Sequence, residues 1–296
     1  MDLAVSLIDI DPCGDDGAEG PGVPFPCPKD VTTSRFLVRL AEKVGEASVT
    51  YHVGPVDQSD RDPEALKLAR LSRFTDEEGE LNIGALIQDG LERQAQNERR
   101  AHGRALKAVR QFCVRWGLTK MWTFTFKTAQ WDKRQVKSYM NEFLMRWRVL
   151  NGGKAFPYLY VIELHPGGHG YHVHVAVPGE MFTDFFKLRR VWGHGRIRFD
   201  KNTRQSGESR NDARRLALYL SKYLGKDMNE DHSKGEHRYE PAQGFDVQTT
   251  RRWFATFREA EDFLRFRVAG ENFVQVWSDY ELEKWLGPPT WLYRSD

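Results

Sequence analysis

The sequence predicts an α+β fold, a central and largely antiparallel sheet with helices packed on it. Three observations predict it. Stretches of period two, Met121–Phe126, Tyr158–Leu164 and Tyr171–Val177, are interspersed with stretches of helical period. Their order is strand, helix, strand, strand, helix, strand, helix, which is not the regular alternation of a doubly wound sheet and places the helices on one face. Hydrophobic residues make up 40% of the 296, enough for a packed core, and most aromatics follow residue 110.

Taken in order, residues 11–30 are rich in Asp, Gly and Pro and read as a mobile tail or linker. Short helices are expected over Arg35–Val44 and Asp62–Leu71. Leu91–Trp116 reads as a long helix, with Leu106, Val109, Phe112, Cys113 and Trp116 at helical spacing and Gly117 as its stop. In Met121–Phe126, Trp122, Phe124 and Phe126 share one face and Thr123 and Thr125 the other. Residues 131–150 return to helical period and end at Asn151-Gly-Gly153. Tyr158–Leu164, the turn His165–Gly170 and Tyr171–Val177 read as an antiparallel hairpin. A helix over Phe182–Val191, a strand over Arg196–Asp200 and a helix over Asp212–Leu224 follow. Further on, helices are expected over Ala260–Phe266 and Asp279–Leu286, with a strand over Phe273–Trp277. This divides the chain into an acidic, partly disordered region (1–90), a central domain (91–235) and a C-terminal extension of unassigned role (236–296).

The net charge of +2 hides an asymmetry: residues 1–96 carry −10 and the remainder +12. A basic body suits a polyanionic partner, since phosphate neutralisation dominates nucleic-acid affinity; a solvated mixed-charge surface is the bland alternative. Cys13, Cys27 and Cys113 form no CxxC pair and suggest neither a zinc site nor a disulfide framework. With no apolar run of 18 residues and no basic-then-apolar start, a cytoplasmic location without a membrane span is expected.

Two constellations carry chemistry. In Tyr171-His-Val-His-Val-Ala-Val177, alternation puts His172 and His174 on one face, one pleat repeat apart. A hairpin through 165–170 brings Glu163 opposite them. Two imidazoles and a carboxylate suit a divalent ion, Mn²⁺ by affinity or Mg²⁺ by abundance. Two polar residues on a solvent face would look the same, and His165, His169 and His194 complicate the ligand choice. The second constellation is Tyr219-Leu-Ser-Lys-Tyr-Leu-Gly-Lys226, a tandem Tyr-x-x-Lys. Tyr219 and Tyr223 share a helix face, and Lys222 and Lys226 each follow a tyrosine by three residues. A phenol with a pKa of about 10 is a poor nucleophile at neutral pH, and a neighbouring cation stabilises its phenolate. An ordinary core stripe with snorkelling lysines also has this spacing.

Together, Trp122–Phe126, His172-Val173-His174 and Tyr219–Lys226 resemble, in this order, the three motifs of HUH replication endonucleases. The paired tyrosines are similar to those of phage-type rolling-circle initiators of phages and plasmids. The resemblance covers roughly residues 115–228. It implies a ferredoxin/RRM-like core with the histidines in mid-sheet and the tyrosine helix beside them. It further implies His172 and His174 holding Mg²⁺ or Mn²⁺, with Glu163 as third ligand. One tyrosine attacks and keeps the 5′ phosphate, the freed 3′ hydroxyl primes synthesis, and the other tyrosine closes the displaced strand. The substrate would be single-stranded DNA at an origin, from a hairpin or melted duplex, in a bacterial host cell.

Candidate DNA contacts are Lys187, Arg189, Arg190, Arg196, Arg198, Arg214 and Arg215, with Arg251-Arg252-Trp253-Phe254 as another group. The sequence has no GxxxxGK[ST] motif, so a host helicase as well as a polymerase would be needed. Competing readings are a non-catalytic DNA-binding regulator and a single-strand transposase of the same superfamily, although transposases usually carry one tyrosine. A double-stranded β-helix metalloenzyme with Glu180 as carboxylate ligand requires many short strands where this chain has long helices.

Overall fold

The computed structural model describes residues 34–53, 67–68, 71–76, 79–165, 167–181, 184–199, 209–226, 239–267, 272–278 and 290–295. In chain order these form β1 (Ser34–Ala41), β2 (Glu46–Val53), α1 (Ile83–Arg115), β3 (Leu118–Phe124), α2 (Lys133–Leu150), β4 (Leu159–Leu164) and β5 (Tyr171–Pro178). Then come α3 (Phe185–Trp192), β6 (Ile197–Phe199), α4 (Arg210–Lys226), β7 (Glu240–Pro241), β8 (Thr250–Phe254), α5 (Phe257–Asp262), β9 (Val274–Ser278) and β10 (Thr290–Arg294). The fold is α+β, with two antiparallel five-stranded sheets and helices packed on them. The chain divides into two compact units, Leu71–Val247 and Met1–Arg70 with Gln248–Asp296. Among the described residues, no helix is long and apolar enough to cross a membrane.

The sheet of the central unit runs β6-β3-β5-β4-β7, so β5 lies in the middle. Alternation builds its apolar face: Trp122, Phe124, Tyr160, Ile162, Val173, Val175 and Val177 pack against Val136, Met140, Phe143 and Trp147 of α2 and Leu188 and Trp192 of α3. Asp132 caps α2 by accepting from the Arg134 N–H at 2.8 Å, and Asp184 caps α3 through the N–H groups of Phe186 and Lys187. The opposite face carries α4, which packs on β3 and β4 and on α1. Ala213, Leu216, Ala217, Leu220 and Leu224 form its buried stripe. Helices therefore cover both faces, where element order alone suggested one. The reason is that the less apolar face of β3–β5, with Leu159, Val161 and Ala176 fully buried, also needs a cover.

Two glycines fix close approaches around this sheet. Gly170, at φ +77°, ends the hairpin turn, and a Cβ there would stand 2.5 Å from the Gln130 carbonyl oxygen. Beside it Tyr171 N–H donates to that same carbonyl. A Cβ on Gly195 would collide with the carbonyl oxygen of Thr125.

The second unit's sheet runs β8-β1-β2-β10-β9. Phe36, Val38, Leu40, Val49, Tyr51, Trp291 and Tyr293 form its apolar face beneath Ala260, Leu264 and Phe273. The helix expected over Arg35–Val44 is thus a correction: the segment is β1 followed by a 3-10 turn, Glu42–Val44. Phe36, Val38 and Leu40 alternate strictly, and pairing with β2 and β8 satisfies the backbone as a strand. Lys67, Leu68 and Leu71, the described residues of the expected Asp62–Leu71 helix, are helical. Residues 11–30 and the expected helix over 279–286 lie outside the described residues. The helix expected over Ala260–Phe266 begins earlier, at Phe257 with Thr256 as cap, and ends in a π turn, Phe263–Arg267.

Candidate functional site

β4 and β5 pair with Glu163 opposite His172 and Val161 opposite His174; β3 places Thr123 opposite His174, and β6 places Arg198 opposite Thr123. Directly opposed residues on antiparallel strands point to the same face. Glu163, His172, His174, Thr123 and Arg198 therefore share the face that α4 covers.

Glu163 and His174 are both buried, and the carboxylate Oε2 lies 2.9 Å from His174 Nε2. The other imidazole nitrogen, Nδ1, lies 3.1 Å from the Thr123 hydroxyl. Both nitrogens are thus engaged, so ring plane and direction are fixed from either side. Burial first, then the nearby His165 and His174, hold the half-buried His172 below the ordinary imidazole pKa, against the opposing pull of Glu163; Arg198 adds to the lowering. His172 is consequently neutral at pH 7, the form with a lone pair to offer. Its ring lies 4.7 Å from that of His165, which lies 5.1 Å from His169.

The tyrosine helix lies directly on this arrangement. Tyr223 stacks face to face on His174, with centroids 3.9 Å apart and planes 9° from parallel. Tyr219 meets Tyr223 edge to face at 5.5 Å, and Lys222 Nζ lies 5.1 Å from the Tyr219 ring centroid. Lys222 is exposed, whereas the Lys226 side chain lies outside the described residues.

The basic residues do not all gather here. Arg198 and Arg196 alternate on β6 and its approach, and Arg198 stands in register with Thr123 and His174. Lys187, Arg189 and Arg190 are exposed on α3, which packs on the Trp122 face, away from the histidines. Lys187 stands 3.8 Å from Asp184. On α4, Arg214 donates to Asn211 and Arg215 lies 3.3 Å from Asp212. Two side chains unnoticed as partners come into the site, Thr123 and His165. Thr123 was legible only as the polar side of β3; its contact with His174 depends on strand register.

A match covers these elements. Residues 119–228 match the model of a family of replication-associated proteins, the ORF2 type. The span opens in β3 and closes just past the tandem Tyr-x-x-Lys, so it takes in every residue of the arrangement above. It is consistent with a rolling-circle replication initiator. No curated protein and no solved structure matches the chain.

The donor chemistry of His172, His174 and Glu163 fits a divalent ion that accepts mixed nitrogen and oxygen ligands. Thr123 on Nδ1 leaves Nε2 of His174 as the ligating nitrogen, and that atom faces Glu163. Among the described residues, no three His, Cys, Asp or Glu side chains converge as a ready group; Glu163 and His174 bond each other directly.

Proposed function

We propose that this chain is a site-specific single-strand DNA endonuclease and strand transferase that starts rolling-circle replication of a phage or plasmid by nicking its origin through a tyrosine. The observation that carries this reading is the stacking of Tyr223 on His174, which joins the two constellations recognised separately in the sequence. The match to a replication-associated family supports the DNA partner.

The chain's own groups divide the work. Tyr219 or Tyr223 attacks the scissile phosphorus through its phenolic oxygen; the bond from phosphorus to the 3′ oxygen breaks, and the 5′ phosphate remains esterified to the tyrosine. The phenol's proton passes to water, and the departing 3′ oxygen takes one up to become the priming hydroxyl. Lys222, beside Tyr219, stabilises the phenolate and meets phosphate oxygen. Arg198 offers a second cation on the same face. Bound by His172, His174 and Glu163, an Mg²⁺ or Mn²⁺ ion would polarise the phosphate and stabilise the charge on the leaving oxygen. Thr123 holds the His174 ring in place, and the Tyr223 ring limits water on its covered side. The second tyrosine accepts the strand in a later exchange without ATP, because the phosphotyrosine ester retains the energy of the bond.

The test is a denaturing gel of the full chain with labelled single-stranded origin DNA, with Mn²⁺ or with EDTA. A protease-sensitive covalent band only with metal is expected. Tyr219→Phe and Tyr223→Phe singly reduce it, and the double change abolishes it. A band that survives the double change overturns the assignment of this helix. Tight DNA binding with no band under any metal favours the non-catalytic regulator.

A further inference from the structure

The quartet Arg251-Arg252-Trp253-Phe254 forms β8, the edge strand of the second unit's sheet, and pairing with β1 splits it by face. Phe254 opposes Phe36 and Arg252 opposes Val38, so both lie on the apolar side; the Arg252 guanidinium sits 5.0 Å over the Phe263 ring. Arg251 opposes Arg39 and Trp253 opposes Leu37, on the other side. That side gathers an exposed Arg251, a half-buried Arg39, His52 and an exposed Trp253, whose ring meets that of His52 edge-on at 5.3 Å.

Two guanidiniums side by side repel, and this pair has no compensating carboxylate among the described residues. Burial, then Arg251, lowers the Arg39 pKa, and burial, then Arg39, lowers that of His52. The acid on this face, Glu46, pairs with Arg294 across the sheet at 3.9 Å. His52 Nε2 is buried with no hydrogen-bond partner. A cationic pair held together without an acid, beside an exposed indole at a sheet edge, is complementary to a phosphodiester backbone with an unstacked base.

We infer that the Arg39–Arg251–Trp253 face is a second single-stranded DNA contact, with phosphate bound between the two guanidiniums and a base stacked on Trp253. The choice of DNA as occupant rests on the replication reading above. The face works through affinity, and the tyrosine chemistry proceeds without it once DNA saturates the protein.

The experiment measures binding of a fluorescent single-stranded oligonucleotide to the full chain across a salt series, alongside covalent-adduct yield at saturating DNA. Arg39→Ala with Arg251→Ala flattens the slope of log affinity against log salt by about 1.4, the share of two phosphate contacts on a single strand. Trp253→Ala weakens binding by about 5- to 150-fold, the range for losing one stacked base. Arg251→Ala alone, at an exposed position, gives a smaller change of the same sign should the double variant misfold. The charge-retaining pair Arg39→Lys with Arg251→Lys keeps the salt slope. Unchanged affinity and slope in both Arg251→Ala and Trp253→Ala overturn the inference, even if the wild type forms adduct. If the wild type forms no adduct but these variants still lose binding, the nicking reading fails and this contact stands.

Discussion

The two five-stranded sheets have the same strand count and the same antiparallel pairing, yet keep their polar groups in different places. In the central unit the polar groups lie on the middle strands: Glu163 on β4, His174 on β5 and Thr123 on β3, bonded to one another under α4. In the second unit Arg251 and Trp253 lie on the edge strand, next to Arg39 and open to solvent. A buried polar group must find partners, so the central trio is mutually fixed and preorganised. An edge group is already hydrated, so it can await a ligand at little cost to the fold. Position in a sheet thus separates groups that can orient chemistry from groups that can only bind.

The largest effect that would sharpen this contrast is on catalysis. His172→Ala with His174→Ala should lower the initial rate of covalent-adduct formation by about three orders of magnitude, the scale of several kcal/mol of charge stabilisation. A rate within a few-fold of wild type would break the assigned role of the central strands.

The next is on stability. Glu163→Ala leaves His174 buried without its carboxylate and should cost roughly 1–3 kcal/mol in urea unfolding. Thr123→Val removes the other partner of the ring and should cost about 1 kcal/mol, with Thr123→Ser closer to wild type. Arg251→Ala, on the edge strand, should stay within about 0.5 kcal/mol by the same measurement. Equal losses at Glu163 and Arg251 would erase the difference between centre and edge.

The smallest concerns the helix over the central sheet. Burial pushes the Cys113 thiol up to about 12. Because the folded value is raised, the neutral thiol's contribution to stability is present below the ordinary value of 9.0 and is lost as pH rises through about 12. Alkylation of Cys113 at pH 8, followed by peptide mass spectrometry, should be slow in the native protein and rapid in urea.

The legible parts of the molecule are those made from neighbours in sequence. The hairpin from Leu159 to Pro178 closes over a short turn, so alternation alone placed Glu163 opposite the histidines. The spacing of Tyr219 and Tyr223 made them one face of a helix whatever that helix packs on. The second unit was opaque for the opposite reason. β1 and β2 pair with β8 and β10, some 200 and 240 residues away, and no local pattern in an acidic segment points to such partners.

The sequence by itself determined the strands and helices of residues 118–226, the shared face of His172 and His174, and the tandem Tyr-x-x-Lys, because these follow from backbone periods of 2 and 3.6. Tertiary structure decided that Thr123 and Glu163 grip His174 from its two nitrogens, that Tyr223 lies flat on that ring, and that Arg251 stands beside Arg39. Each of these depends on register and on helix placement across the sheet, which are set by burying whole faces together and not by any one segment's preference.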